Sequence, residues 1–193
     1  WNLISGKSCI PRVLGASIVI GEYLYLFGGS MALHGEVERC HVGSECDKFE
    51  RLQNMISPRY GFACVWSSIL QEVLIIGGFT VGKWCDSFSC QNRKYGFTNV
   101  VEGFHVETRS WIERPPLKTP RVLFGATEVH TTSEKSSSHN KKVVVVGGMS
   151  GFELTRTSTV ESFRCHSSGS EVVKEYPCVR LVVLLLIASH LLL

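Results

Sequence analysis

The sequence has no Asn-x-Ser/Thr acceptor, no G-x-S-x-G, no Walker loop and no H-E-x-x-H. Without these the chain shows none of the usual signatures of N-glycosylation, serine hydrolysis, nucleotide hydrolysis or zinc proteolysis. It also has no tight C-x-x-C pair, the spacing by which loops close around structural zinc. Cys40-His41 with Cys46, and Cys85 with Cys90, do not reproduce that spacing, so no metal site is expected. The seven histidines are dispersed, and neither a catalytic constellation nor a cofactor is expected. Charge of one sign is scarce: the net charge is +3, and the basic residues form no stripe. This excludes the clustered Lys/Arg footprint of a nucleic-acid binder. No apolar run reaches the roughly 20 residues that a membrane-spanning helix needs.

What is present is a globular composition, 44% hydrophobic and 19% charged over 193 residues, enough for one domain with a sizeable core. The eight cysteines (9, 40, 46, 64, 85, 90, 165 and 178) are irregularly spaced. A core of this size does not require disulfides, so they are expected to be reduced thiols, in a reducing, cytoplasmic setting. Cys85 and Cys90 lie near Arg93 and Lys94, which would lower a thiol pKa if the site is exposed.

The informative feature is a repeat, which decides the fold before any local pattern does. Three segments share one plan: a Pro-Arg start, an apolar alternating run, and a strand ending in two glycines. They run from Pro11-Arg12 to Gly28-Gly29, from Pro58-Arg59 to Gly77-Gly78, and from Pro120-Arg121 to Gly147-Gly148. Each is followed by Val-Glu: Val37-Glu38, Val101-Glu102 and Val160-Glu161. Trp111 closes the second unit, Trp1 stands at the matching place before Arg12, and Phe49 takes it in the first unit. Short β-branched runs bounded by Gly and Pro are strand signals, and about 50 residues per unit leave room for about four strands. The paired glycines permit positive φ and close backbone approach at a buried strand end.

This pattern resembles the kelch repeat, from residue 1 to about 163. The resemblance implies an all-β fold, an incomplete kelch-type β-propeller of about three four-stranded blades plus a partial strand. It divides the chain into 1–11 (the end of a preceding repeat), 12–58, 59–120 with a long loop at 79–100, 121–165, and a non-kelch tail at 166–193. It implies a protein-interaction scaffold rather than an enzyme, with the substrate-recognition part of a cullin ubiquitin-ligase adaptor as the leading reading. The alternative is an actin- or cytoskeleton-binding protein, and a copper-oxidase-type enzyme is a weaker third reading. The structural markers are Gly28, Gly29, Gly77, Gly78, Gly147, Gly148, Glu38, Glu102, Glu161 and Trp111.

Partner contact is expected in the loops, at 30–36, 79–100 and 149–159. Trp84, Arg93, Lys94 and Tyr95 in the long loop combine aromatic surface with positive charge, the composition of interface hot spots. Arg59 and Arg121 stand as further partner-binding candidates. The competing reading of these arginines, and of Arg12, is hydrogen bonding within and between blades. Three units cannot close a ring that usually has four to eight, which predicts aggregation or partial unfolding of the isolated chain.

Two stretches break the plan. Residues 164–180 show neither strand alternation nor a further Pro-Arg start, and 131–142 read as a polar loop. The apolar run 181–193 admits three readings: a cut-off spanning helix, a lipid-anchor signal, or sequence that is not native coding. Membrane contact is expected only if that run is genuine. The chain opens on Trp1 without a signal-peptide pattern, so a preceding segment is expected.

Overall fold

The computed structural model describes residues 10–29, 35–44, 46, 48–81, 95–131, 140–150, 155–157, 159–166 and 169–177. The described residues form strands joined by turns, with a single 3-10 turn at Val42–Ser44 and no α-helix.

The first unit is a four-stranded antiparallel sheet, β1 (Ala16–Ile20), β2 (Tyr23–Phe27), β3 (Val37–His41) and β4 (Glu50–Leu52), paired in chain order. The second unit begins with the short β5 (Arg59–Tyr60). Its main sheet is β6 (Ala63–Ser67), β7 (Glu72–Ile76), β10 (Val101–His105) and β11 (Ser110–Arg114). Between β7 and β10 the chain forms a hairpin, β8 (Phe79–Val81) and β9 (Tyr95–Phe97), and β8 pairs with β5. The third unit repeats this design. Its main sheet is β12 (Gly125–Thr131), β13 (Asn140–Val146), β16 (Thr159–His166) and β17 (Gly169–Pro177). Its hairpin is β14 (Met149–Ser150) and β15 (Thr155–Arg156), with Val122 bridging to Met149.

Alternation in the strands fills the space on both sides of the second sheet. Val73, Ile75 and Phe104 on one face pack with Tyr25, Phe27 and Val37 of the first sheet. Leu74, Ile76 and Val65 on the other face pack with Val143, Val145 and Phe163 of the third. Both faces of the middle sheet are therefore core, and β7 reads as a continuous buried run, as a doubly covered strand should. Trp111 crosses the first junction: its ring meets Phe27 edge-on at 6.1 Å, and its indole N–H donates to the Gln53 carbonyl at 3.0 Å. Truncating Phe104, which is fully buried between the sheets, is expected to destabilise the chain by about 3–5 kcal/mol, read as an earlier urea midpoint.

Three sequence expectations need correction. The stretch 164–180 is not outside the strand pattern, because Gly169–Pro177 completes the third sheet against β16. A bulge hides it: Ser162 pairs with Lys174 and Phe163 with Val172, so Val173 is skipped and the alternation breaks. The polar stretch 131–142 is partly strand, since Thr131 pairs with Asn140 and the β12–β13 hairpin extends to that pair. The cysteines are not all reduced: Cys40 at the end of β3 and Cys46 beyond the 3-10 turn form a disulfide, with Cα atoms 4.9 Å apart. The turn Val42–Ser44 folds the chain back to within bonding reach, which sequence spacing alone does not reveal. Closing so short a loop constrains the unfolded chain by about 2 kcal/mol. Reduction with dithiothreitol should lower stability by that amount, and Cys46→Ser should show the same loss without reductant.

Candidate functional site

The Pro-Arg, di-glycine and Val-Glu signals converge at one end of the sheets, and the geometry there repeats three times. Arg12 donates to the carbonyls of Gly28 (2.7 Å) and Glu36 (2.9 Å) and to the Glu38 carboxylate (2.8 Å). Arg121 donates to Gly147 O (3.0 Å), Thr159 O (3.2 Å) and Glu161 (2.5 Å). Arg59 donates to Val100 O (2.8 Å) and, at 3.4 Å, to Gly77 O, and its Nη2 stands 2.7 Å from Glu102. Each guanidinium thus ties together the first glycine, the residue two before the glutamate, and the glutamate itself. The five fixed donors of arginine suit this fork, which lysine would not reproduce.

The carboxylates complete the staple from the other side. Glu102 accepts the Ser57 N–H at 2.9 Å, and Glu161 accepts the N–H groups of Lys118 (2.7 Å) and Thr119 (3.2 Å). The segments leading into Arg59 and Arg121 are therefore held by the glutamates that those arginines pair with. Arg59 is 2% exposed and Arg121 fully buried. Burial pushes the Arg59 guanidinium below its ordinary pKa, and Glu102 opposes that shift. The Arg59 pair is the least well aligned of the three, with Arg59 Nε and Glu102 Oε2 lacking hydrogen-bond partners.

Arg59 and Arg121, expected as partner-binding candidates, are buried. Their charges face glutamates and carbonyls inside the fold.

The di-glycines act between units. All six residues have positive φ, from 45° at Gly28 to 105° at Gly78. The second glycine of one unit donates to the arginine carbonyl of the next: Gly29 to Arg59 at 3.3 Å, and Gly78 to Arg121 at 2.8 Å. A second set of bonds links the residues two past each arginine. Gly61 donates to Leu14 O at 2.9 Å, and Leu123 donates to Gly61 O at 3.0 Å. Leu14, Gly61 and Leu123 all sit at positive φ, between 52° and 63°. Leu14 and Leu123 hold this left-handed conformation without being glycine and leave their side chains about half exposed.

Around this ladder lie Val13, exposed like Leu14 and Leu123, and the inserted hairpins. At the root of the long insertion Tyr60 packs on Phe79 at 5.3 Å, and Phe79 meets Phe97 edge-on at 5.5 Å. The expected loop 79–100 is therefore a hairpin on an aromatic base, and its first and last aromatics fold back onto the unit. Trp84, Arg93 and Lys94 lie outside the described residues, as does the loop at 30–34. Tyr95 is placed in β9 by its backbone. The hairpin at 149–156 leaves from the matching place in the third unit. The end thus combines a constant frame with insertions that differ from unit to unit.

No family model matches the chain, and no curated protein matches it. Among solved structures it is similar to the structure of YjhT, with a TM-score of 0.65 at 12% identity. The match covers 87% of this chain and 47% of that one. The fold is shared with YjhT. At that identity nothing about activity follows, and the chain spans about half of YjhT's length.

Chemistry beyond this frame is sparse among the described residues. No three His, Cys, Asp or Glu side chains stand together as a metal site. A cavity bordered by Pro116, Leu117, Val145 and Phe163 holds about 10 Å³, room for one water at most. Cys64 is a free thiol on β6 whose pKa burial pushes up to about 12. Thiolate is the reactive form, so iodoacetamide at pH 8 should leave Cys64 unlabelled until the chain is unfolded in urea. Cys85 and Cys90 lie outside the described residues.

Proposed function

We propose that the chain is part of a kelch-type β-propeller that works as a protein-binding scaffold, with the ladder end as its recognition surface. One observation carries this reading: a buried frame repeated three times supports insertions that vary from unit to unit at the same place. Rigid scaffolds with variable loops are how recognition surfaces are commonly built. Exposed Val13, Leu14 and Leu123 beside those insertions add apolar surface where a partner would be gripped. The YjhT likeness supports the stacked-sheet architecture and leaves the partner open.

Within that class the reading remains substrate recognition for a cullin ubiquitin ligase. This step rests on the kelch resemblance, since fold does not fix function. The test is quantitative affinity capture with the chain, beside a variant whose residues 82–94 are replaced by a short Gly-Ser linker. The expected result is one or more proteins bound by the chain, lost by the variant, and ubiquitinated in a cullin-dependent way in cells. An identical capture profile for both forms would sink the role of the insertion. Saturable co-sedimentation with actin filaments would decide for the cytoskeletal alternative.

A Cys40–Cys46 bridge that persists in cells would place the chain in an oxidising compartment and count against both the cullin-ligase and the actin readings, because disulfides rarely persist in reducing surroundings. No described helix is long and apolar enough to cross a membrane. Alkylation of intact cells followed by mass spectrometry tests the compartment: free thiols at residues 40 and 46 are expected under the cullin-ligase reading, and a bridge there in cells would sink it.

A further inference from the structure

One stretch of the first unit grips the second at three successive points. Glu50 accepts from Arg109 at 2.8 Å, the Gln53 carbonyl accepts the Trp111 indole N–H at 3.0 Å, and the Ser57 N–H donates to Glu102 at 2.9 Å. Residues 50–57 thus form a strap across the first junction. The strap at the second junction ends on Lys118 and Thr119, whose N–H groups donate to Glu161.

The two straps hang from different turns. Between β10 and β11 the chain uses four residues, 106–109. That turn is pinned by the Val106 N–H on Gln71 O and the Thr108 N–H on His105 Nδ1. Between β3 and β4 there are eight residues, 42–49. The Cys40–Cys46 bridge gathers in that extra length, with the two Cα atoms 4.9 Å apart. Cys46 is thereby held at φ 53°, a left-handed conformation that costs a non-glycine residue and persists only where its surroundings impose it. Its N–H, on His41 O at 3.3 Å, is the weaker of its two tethers. A bridge that imposes such a backbone is more easily reduced than a relaxed one.

We propose that Cys40 and Cys46 form a reversible thiol–disulfide switch that sets how firmly the strap holds the first unit to the second. The reductant is a small thiol of the glutathione class. Its thiolate attacks one sulfur of the bridge, and the other sulfur leaves as a thiolate. A second thiol then resolves the mixed disulfide. Two glutathione thiols give up two electrons and leave as glutathione disulfide, while Cys40 and Cys46 each take up one electron and one proton. Cys40 and Cys46 are 1% and 4% exposed, so exchange proceeds through a local opening of the turn, where Val42 and Gly43 are exposed. In the reduced form β3 and β4 stay paired, since their register from Val37–Leu52 to Arg39–Glu50 uses neither cysteine. What is lost is the fixed start of the strap. The switch rests on the stacked sheets and not on partner binding or compartment, so it and the proposed function can fail separately.

The test equilibrates the purified chain in mixtures of reduced and oxidised glutathione. Alkylation with peptide mapping reads the bridge, and native-state hydrogen exchange reads the strap. Reduction is expected to speed exchange over residues 48–57 by roughly thirtyfold, the factor equivalent to the constraint of so short a loop. Exchange in β7 should not change, and oxidised glutathione should restore both the bridge and the slow strap. The double variant Cys40→Ser with Cys46→Ser should exchange fast in the strap in every mixture. A bridge that glutathione opens only in urea, a strap that exchanges equally in both states, or an equal rise in β7 would overturn the proposal. So would redox-dependent strap exchange in the double variant, which would assign the effect to other cysteines.

Discussion

Replacing Arg59 by alanine is expected to destabilise the chain by about 3–5 kcal/mol, the range for leaving one partner of a buried ion pair alone. For a chain of this size that lowers Tm by roughly 10–15 °C. The substitution strands Glu102, which is fully buried, and removes a donor from the carbonyls of Gly77 and Val100. Glu102→Ala should be comparably harmful, because it also takes the acceptor from the Ser57 N–H. The pair Arg59→Met with Glu102→Leu should be milder than either single change, since no unpaired charge is left inside. Arg109→Ala provides the contrast. That arginine pairs with Glu50 at 2.8 Å while both side chains are about half exposed, and its removal should cost about 1 kcal/mol or less. Urea titrations of the four variants check the order. Equal losses for Arg59→Ala and Arg109→Ala would mean that the staple is not a buried structural element.

A single methyl group at a second glycine is expected to be nearly as damaging. At Gly29 an added Cβ would lie 2.5 Å from the Gly15 nitrogen, at φ +80°. At Gly78 it would lie 2.9 Å from the Tyr60 carbonyl and the Phe62 Cβ, at φ +105°. Left-handed strain of about 1–3 kcal/mol adds to overpacking of about 1–3 kcal/mol, and each change disturbs a bond between units. Gly29→Ala and Gly78→Ala should therefore each lower stability by about 3–4 kcal/mol by the same two terms. Gly21→Ala separates them: its φ is +56°, but nothing lies within 4 Å of the added Cβ, so only the strain remains. Gly96→Ala, with neither positive φ nor a close neighbour, should be close to neutral. If Gly21→Ala and Gly78→Ala have equal melts, the close approach of the Tyr60 carbonyl and Phe62 to Gly78 is not present.

The parts of this fold that were legible in the sequence are those where one residue type does one physical job. The di-glycines are readable because only glycine tolerates both the positive φ and the approach of the next unit's backbone. The arginines and glutamates are readable as markers, but their sequence positions do not say which surface they face. Arg12, Arg59 and Arg121 share the composition of an interface hot spot and of a buried fork, and only their burial separates the two. Leu14 and Leu123 were missed because a left-handed leucine leaves no trace in composition. The one signal available was their position two past the arginine, where the second unit has Gly61. Gly169–Pro177 was missed because the skipped Val173 breaks the period of two on which strand reading depends. The Cys40–Cys46 bridge depends on a 3-10 turn that no local motif announces.

The central claim is that the sheets are stacked by repeated backbone bonds between successive units. Native-state hydrogen exchange at the amides of Gly29, Gly61, Gly78 and Leu123 tests it most directly, because each donates across a junction and none belongs to a sheet ladder. Stacked units predict that all four exchange as slowly as the β7 amides at the centre of the molecule. Slow exchange in β7 with fast exchange at these four would show that the sheets form without stacking, and would contradict the account.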